Sequence, residues 1–488
     1  MNRYGLIDSP ERGLPAGHEA RRQDVDFLVL YVTTYALSST VLPLVRRAKV
    51  PVLVLNLQPE AAIDYKRFNA LPGRRQMTAE WLAYCSACPV PELANVFGRA
   101  GIPFHQVTGV LHDDPECWLE IQEWLDAARV VHTLSHTRLG LMGHYYSGML
   151  DVATDLVQVC ATFGTHIEIV EIDELSHLRR SVTNEQMERQ LSSIAQSFNV
   201  ESDCSRDELK RAARTSAALE QFAEIHSLGA RAYFYKGSGA EQNEETITSI
   251  ILGASLLTSR GIPVAGEYEI KNALAMKIMD SFGTGGSFTE YYAIDFIDHV
   301  VLMGHDGPGH AGIAEGKTKV RPLQVYHGKI GRGLSVEMSV KTGPVTLLSI
   351  VESKDHGFKL LFAEGQTVAG PILEIGNTNS RYRFPIGAGA SSIAGTSRHP
   401  RTIVPSGSDT SEANSKSSRY YLALRRHVFV ESGSELRTNA TTGLIQPLGC
   451  HSRLHWSSKL SPTTNWALTF FIARYRRDNE VQRAPLHP

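Results

Sequence analysis

Long apolar runs are missing from this sequence. No uninterrupted stretch reaches the roughly 18–20 apolar residues that a membrane-spanning helix needs. Residues 1–27 contain no apolar segment of the kind found in secretory signals. We therefore expect a cytoplasmic protein that has no membrane partner.

An excess of one charge is also missing. The chain has 49 Lys and Arg residues against 51 Asp and Glu residues, which gives a formal net charge of −2. This balance gives no reason to expect nucleic acid or an anionic surface as a partner.

Cysteine is scarce, with six residues in a chain of 488. So few cysteines do not suggest a disulfide framework, and they fit a reducing compartment. Cys85 and Cys88 form a CxxC motif, but no second pair accompanies it to close a tetrahedral zinc site. We interpret both as packing or surface thiols.

What the sequence does contain is an alternation of apolar strands and amphipathic helices. The runs DFLVLYVTTY and VPVLVLNLQP are rich in β-branched residues and nearly continuously apolar, which favours parallel strands buried on both faces. Between them, STVLPLVRRA has helical spacing and a basic last turn. These three segments predict a strand–helix–strand unit.

The same alternation continues further along the chain. The patterns predict two short strands, an amphipathic helix and another strand, at residues 129–134, 138–143, 148–163 and 166–172. Alternation of this kind predicts a fold of the α/β class with two Rossmann-like, doubly wound domains, which we assign to residues 1–135 and 136–285.

The pattern changes near residue 286. Short strand patterns separated by turn residues predict a mostly antiparallel, β-rich domain at residues 286–388. Residues 389–488 are rich in Ser, Thr and Arg and keep neither a strand nor a helix period, so we predict an irregular or disordered tail. A chain of 488 residues is expected to contain two to four domains.

Three features of the β-rich domain could carry chemistry. Glu290 stands among aromatic residues in SFTEYYAIDF, the stretch GHDGPGHAGIAEGK leads to Glu315, and His327 follows in QVYHGK. Two carboxylates and an imidazole, without a thiolate, favour Mn²⁺ or Mg²⁺ over structural zinc. The residues alone leave other interpretations open: a helix-start charge for Glu290, an ordinary strand residue for His327, and a loop of turn residues between them.

These stretches, together with LYVTTYALSSTVLPLV and LGLMGHYYSGMLD, resemble the L-arabinose isomerase and L-fucose isomerase superfamily over roughly residues 20–388. The resemblance implies that Glu290, Glu315 and His327 are ligands of a catalytic divalent cation, Mn²⁺ or another such as Mg²⁺ or Co²⁺. It also implies the interconversion of an aldose and a ketose, of the L-arabinose to L-ribulose type. Intact members form homo-oligomers whose active sites lie at subunit interfaces.

The implied reaction explains why carboxylates are needed. Moving a carbonyl from C1 to C2 of an open-chain sugar through an enediol requires a group that removes the C2 proton and one that returns it to C1. Glu290 and Glu315 are the implied catalytic pair, and a cation would stabilise the negative charge on oxygen. Three nearby residues are candidates for orienting the ring of His327: His305, Asp306 and His310.

The chain departs from this superfamily after RYRFPIGA, residues 381–388. The superfamily has a fourth ligand in a His–His pair, within a segment like AHHCAVGVGHI, and that segment is missing after residue 388. Codons can be chosen for residues 397–418 such that translation from the third base of codon 397 gives PASAHHCAVGVGHIGSKLEKL. We therefore interpret residues 389–488 as an out-of-frame tail and expect impaired activity. The resemblance also implies that a first strand and helix of the N-terminal domain are missing.

A second function remains open from the sequence. Tandem doubly wound domains also build sugar-binding or regulatory proteins that catalyse nothing. The absence of a signal segment and the presence of Glu290, Glu315 and His327 favour the isomerase. Both interpretations predict a small-molecule sugar as the partner.

Overall fold

The computed structural model describes residues 5–237, 239–323, 332–352 and 357–384, and the backbone of two further strands at residues 401–405 and 470–472. The chain forms two compact units. One comprises Met1–Arg129 with His455–Pro488, and the other comprises Val130–Leu454. The three predicted domains and their boundaries stay predictions.

The first unit is built on a parallel sheet of three strands. Strand β2 lies between β1 and β3, and a short antiparallel strand, β17, is added at the free edge of β1. In chain order, the helices and strands that begin in this unit are α1 (Pro10–Arg22), β1 (Leu28–Tyr31), α2 (Ser38–Ala48), β2 (Val52–Gln58), α3 (Tyr65–Asn69), α4 (Arg74–Tyr84), α5 (Val90–Ala100), β3 (Phe104–Val110), α6 (Pro115–Ser135) and β17 (Phe470–Ile472).

The predicted strand–helix–strand unit is confirmed. Six of the seven residues of β2 are buried, as expected for a central parallel strand covered on both faces. Helix α2 ends at Ala48, where Lys49 adopts a left-handed conformation with φ 60°. Residues Val41, Leu44 and Val45 of this helix are buried against the sheet, which explains the helical spacing of the sequence.

Helix α1 precedes β1 and was not predicted. It packs so closely on α2 that a Cβ atom at Gly17 would lie 2.6 Å from the carbonyl oxygen of Leu44. Only a residue without a side chain permits this approach of two helix backbones.

The predicted strand at residues 129–134 is wrong, because these residues continue helix α6. Ala127, Val130 and Leu134 are buried, and their spacing of three and four residues is that of one helix face. The short apolar run was therefore part of a longer helical pattern that began at Pro115.

The second unit contains a parallel sheet with the order β5-β4-β7-β8 and a closed antiparallel barrel with the order β10-β15-β14-β13-β16-β9. A small third sheet joins β12, β11 and β6. In chain order, its helices and strands are β4 (Arg138–Gly143), α7 (Leu156–Phe163), β5 (His166–Val170), α8 (Ile172–Ser181), α9 (Asn184–Ser197), β6 (Asn199–Val200), α10 (Arg206–Ile225), β7 (Ala230–Phe234), α11 (Glu241–Ile247), α12 (Ile251–Thr258), β8 (Val264–Ala265), α13 (Ile270–Ser281), β9 (Ser287–Asp295), β10 (Val300–His305), β11 (Lys319–Pro322), β12 (Leu334–Glu337), β13 (Gly343–Glu352), β14 (Phe358–Thr367), β15 (Thr378–Arg383) and β16 (Arg401–Pro405).

The helix predicted at residues 148–163 is shorter in the structure. The Asp155 side chain accepts hydrogen bonds from the backbone N–H groups of Val157 and Gln158, at 2.8 and 3.2 Å, and so fixes the start of α7. Before this cap, Leu150–Val152 forms a single turn of 3₁₀ helix.

The barrel accounts for the antiparallel domain expected after residue 286. Its interior is filled by side chains that include Val301, Met303, Leu347 and Tyr382. At Gly304, a Cβ atom would lie 1.8 Å from the carbonyl oxygen of Thr378, so the pairing of β10 with β15 requires glycine there.

Two segments of the predicted irregular tail are strands. Residues 401–405 form β16, which pairs with β13 and β9 and closes the barrel, and residues 470–472 form β17. The remainder of the tail lies outside the described residues. Overall the fold is mixed α/β, with parallel sheets and an antiparallel barrel. No helix in the described part of the chain is long and apolar enough to cross a membrane.

Candidate active site

A cavity of about 410 Å³ lies at the carboxyl edge of the parallel sheet in the second unit. Tyr146 reaches it from the segment after β4, and Lys236 and Gly237 reach it from the segment after β7. Strands β4 and β7 are neighbours, and the strand order reverses between them because β5 lies on the far side of β4. In open α/β sheets, ligands bind outside the carboxyl ends of the strands at such a switch point.

Glu290, one of the predicted site residues, lines this cavity. It lies in β9, directly opposite Gly304 of β10. Phe288, two residues earlier, shares its face of the strand and contacts the ring of His305, with 3.9 Å between the ring centroids and the ring planes tilted by 48°. Tyr291 faces the other way and packs against the barrel interior. The strand alternation therefore directs Glu290 out of the barrel and into the cavity.

The Glu290 carboxyl has an unusually high pKa. Burial raises its pKa to about 7, and the negative charges of Glu267 and Asp306 add to the effect. A carboxyl group with this pKa exists in both protonation states near neutral pH. It can therefore both donate and accept a proton there, which is the property required of a general acid–base residue.

Glu267 is presented to the cavity by strained backbone. Glu267 and Tyr268 both have left-handed conformations, with φ 60° and 64°, although neither is glycine. Hydrogen bonds fix this turn: the N–H of Tyr268 donates to the carbonyl of Tyr233, and that of Glu269 donates to the carbonyl of Gly266. Strain of this kind persists only where the surrounding structure enforces it, and it is concentrated at functional sites.

A buried ion pair supports the same turn. The ammonium of Lys271 lies 3.2 Å from the carboxylate of Glu269, and both side chains are almost fully buried. Lys271 also donates to the backbone carbonyls of Asp151 and Val152, at 3.0 and 3.3 Å. Burial raises the pKa of Glu269 to about 7, against the opposing effect of Lys271. The pair thus joins the turn after β8 to the segment after β4.

Glu315 lies elsewhere in the second unit. Its side chain is exposed, its carboxylate accepts a hydrogen bond from the backbone N–H of Thr342 at 2.7 Å, and its own N–H donates to the carbonyl of Ser339. It does not line the cavity that contains Glu290. His327 lies outside the described residues. Glu315 therefore does not share the cavity lining with Glu290, and the ligand roles of Glu315 and His327 stay predictions.

The residues proposed to orient His327 separate into two groups. His305 and Asp306 line the cavity with Glu290. His310 caps the 3₁₀ turn Ala311–Ile313, because its Nδ1 atom accepts a hydrogen bond from the N–H of Gly312 at 3.2 Å. Burial lowers the pKa of His310, which favours the neutral ring that this cap requires.

A divalent cation fits the donor types around Glu290, since carboxylate oxygens are the ligands that Mg²⁺ and Mn²⁺ prefer. The positions do not fit equally well. Within the ranges that the structure describes, Glu290 belongs to no group of three or more Asp, Glu, His and Cys side chains whose ligand atoms converge on one point. The metal site is therefore not assembled by these residues alone.

The sequence analysis missed most of the cavity. Among the residues that the structure describes, four aromatic residues line it, and so do three acidic residues besides Glu290: Tyr146, Tyr233, Phe234 and Tyr235, with Glu244, Glu267 and Asp306. The stretch VAGEYE contained a usable signal, since polar residues that follow a parallel strand lie at its carboxyl end. Asp306 was considered only as a neighbour of His327.

Comparison with known proteins gives one limited likeness. No protein-family model matches the chain. The L-arabinose isomerase of Vibrio parahaemolyticus serotype O3:K6 (strain RIMD 2210633) is 24% identical over 270 residues, which are 53% of this chain and 53% of that enzyme. The chain thus spans about half the length of the curated relative that it matches. This likeness supports a relationship to a sugar isomerase.

Proposed function

We propose that this chain carries the site of a metal-dependent aldose–ketose isomerase of the L-arabinose to L-ribulose type, in a form impaired by an altered C-terminal segment. The observation that carries the proposal is the placement of Glu290 in the cavity at the carboxyl edge of the sheet, with its pKa raised to about 7. The likeness to an L-arabinose isomerase supports the same reaction.

Glu290 would move the proton between C2 and C1 of the open-chain sugar. Its raised pKa allows the carboxylate to remove a proton and the carboxylic acid to return it at neutral pH. Burial, together with the charges of Glu267 and Asp306, keeps the pKa of Glu290 high. The aromatic residues Tyr146 and Phe234 offer apolar surface to the carbon chain of the sugar.

The metal ligands form a further part of the proposal. We assign Glu315 and His327, with Glu290, to a Mn²⁺, Mg²⁺ or Co²⁺ site. For Glu315 this assignment requires its carboxylate to leave the N–H of Thr342. We assign no step of the proton transfer to the ion.

The proposal is tested by measuring ketose formation from L-arabinose, with added Mn²⁺, for this chain and for a chain whose reading frame is restored after residue 388. We expect turnover by the restored chain and little or none by this one. Absence of turnover by a folded, Mn²⁺-loaded restored chain, with L-arabinose, other pentoses and 6-deoxyhexoses, would overturn the proposal.

A sugar-binding function without catalysis is the second candidate. The four aromatic side chains in the cavity favour it, because aromatic rings are common surfaces for sugar rings and carbon chains. Calorimetric titration with L-arabinose distinguishes the two. A binding protein should take up the sugar equally well with and without Mn²⁺, whereas the isomerase should require the ion.

A further inference from the structure

The CxxC motif of the first unit plays no part in the proposed reaction, but its two cysteine side chains lie close together. Cys85 begins a 3₁₀ turn, Cys85–Ala87, and Cys88 ends it. The N–H of Cys88 donates to the carbonyl of Cys85 at 3.2 Å, which fixes the backbone of the turn. The two sulfur atoms lie 2.8 Å apart. We propose that Cys85 and Cys88 form a reversible dithiol–disulfide couple that exchanges with small-molecule thiols and disulfides.

The distance between the two sulfur atoms is short enough that a disulfide can form with little movement. A disulfide bond has a length of about 2.0 Å, so the sulfur atoms need to approach by only about 0.8 Å from their separation of 2.8 Å. Hydrogen bonds from the neighbouring Ser86 hold the turn in place, since its hydroxyl donates to Asn56 at 3.2 Å and accepts from Gln58 at 2.7 Å. The sulfur pair is therefore presented by an anchored turn.

The two cysteines differ in access, and the difference assigns their roles. Cys88 is exposed, whereas Cys85 is 1% exposed. Burial, followed by the hydrogen bond and charge of Cys88, raises the pKa of Cys85 to about 12. A buried thiol with a high pKa is a poor nucleophile toward external disulfides, so Cys88 meets the oxidant and Cys85 resolves the product.

The exchange consists of two displacements with glutathione disulfide as the oxidant. The Cys88 thiolate attacks one sulfur of glutathione disulfide, a mixed disulfide forms, and one glutathione thiolate leaves. Cys85 then loses its proton and attacks the Cys88 sulfur, which releases the second glutathione. The two cysteines lose two electrons and two protons, and glutathione disulfide is reduced to two glutathione molecules.

The tryptic peptide of residues 76–99 gives a direct measurement, because it contains Cys85 and Cys88 and no other cysteine. The full chain is equilibrated with mixtures of reduced and oxidised glutathione, quenched with acid, alkylated and digested. We expect the peptide to lose the mass of two hydrogens as the oxidised fraction rises, and to regain it on reduction. A peptide that stays doubly alkylated at every ratio would overturn the proposal.

Single variants separate the two roles. Cys85→Ser should retain a stable glutathione adduct on Cys88, because no second thiol can resolve it. Cys88→Ser should take up no glutathione in this peptide, because Cys85 is buried. Cys160→Ser is the matched control, since Cys160 is exposed and should leave the couple unchanged. Rapid glutathione uptake by Cys85 in Cys88→Ser, or a persistent Cys88 adduct in the unaltered chain, would contradict the assignment.

Discussion

Thr402 of β16 lies directly opposite Phe288 of β9, two residues before Glu290. In the alternative reading frame, the two histidine codons overlap codons 401–403, which are the codons of this strand segment. Restoring the frame would therefore place a His–His pair on the strand that borders Glu290.

We predict that the frame-restored chain binds Mn²⁺ more tightly than this chain. Even partners that only orient a metal ligand change affinity by about 10–100-fold, so a missing ligand should cost at least that much. Calorimetry on both chains measures the difference. Sequencing of the gene around codon 389 checks the out-of-frame interpretation of the tail. That interpretation would be contradicted if no single-base change in the gene restored a frame that encodes AHHCAVGVGHI.

We predict that Glu290→Gln in the frame-restored chain lowers turnover of L-arabinose by about 10²–10⁴-fold, the usual contribution of a positioned acid–base residue. The amide keeps the size of the side chain, so circular dichroism should show the same fold. Glu244→Gln is the control, since Glu244 lines the same cavity but does not contribute to the raised pKa of Glu290. Unchanged turnover in the Glu290 variant would remove this residue from the mechanism.

Glu290 should also destabilise the fold at neutral pH. Its folded-state pKa of about 7 lies above its ordinary value of 4.5, so its contribution to stability is fully present below pH 4.5 and is lost as the pH rises through 7. Glu290→Gln should therefore be more stable than the unaltered chain above pH 7, by on the order of 2–3 kcal/mol, and similar to it near pH 4.5. Urea titrations at both pH values, without added metal, measure this difference.

We predict that Glu267→Gln lowers the pKa of Glu290, because the negative charge of Glu267 helps to raise it. The acidic limb of the pH–rate profile of the frame-restored chain should move to lower pH. An unshifted limb would show that the charge of Glu267 does not contribute to the raised pKa of Glu290. Glu244→Gln should leave the limb in place, because Glu244 does not contribute to the raised pKa of Glu290.

We predict that Lys271→Met destabilises the chain by about 3–5 kcal/mol, because Glu269 would keep a buried carboxyl group without its partner. Glu269→Gln combined with Lys271→Met should recover part of this loss. Lys66→Met, at an exposed position, should change the free energy of unfolding by less than about 0.5 kcal/mol. Urea denaturation measures all three variants.

The sequence predicts a helix or strand well where the apolar pattern fits only one kind of secondary structure. Strand β2 is buried along nearly its whole length and was found, and the repeated short strands of the barrel were recognised from their turns. It failed where one short run fitted two periods: residues 129–134 suit a strand taken alone, but their buried positions belong to helix α6. Helix α1 was not predicted: the resemblance implied that a helix before β1 is missing, and the glycine that close packing on α2 requires weakens the helical pattern.

The site was only partly predictable for a related reason. Glu290 was found because a carboxylate among aromatic residues is unusual, and it does line the cavity. Glu267 was missed because its placement depends on two consecutive left-handed residues, which no local propensity would predict for Glu and Tyr. Glu315 was singled out from a glycine-rich stretch, and the structure gives its carboxylate a backbone partner instead.

The closed barrel tolerates a changed sequence in strand β16. Strand β16 is held through main-chain groups on both sides, by β13 and by β9, and such pairing accepts nearly any side chain that is not proline at its centre. If residues 389–488 are out of frame, as we propose, the extended segment RTIVP completes the barrel while the side chains encoded by the original frame are replaced. The barrel fold can then persist in a protein that has lost its active-site side chains.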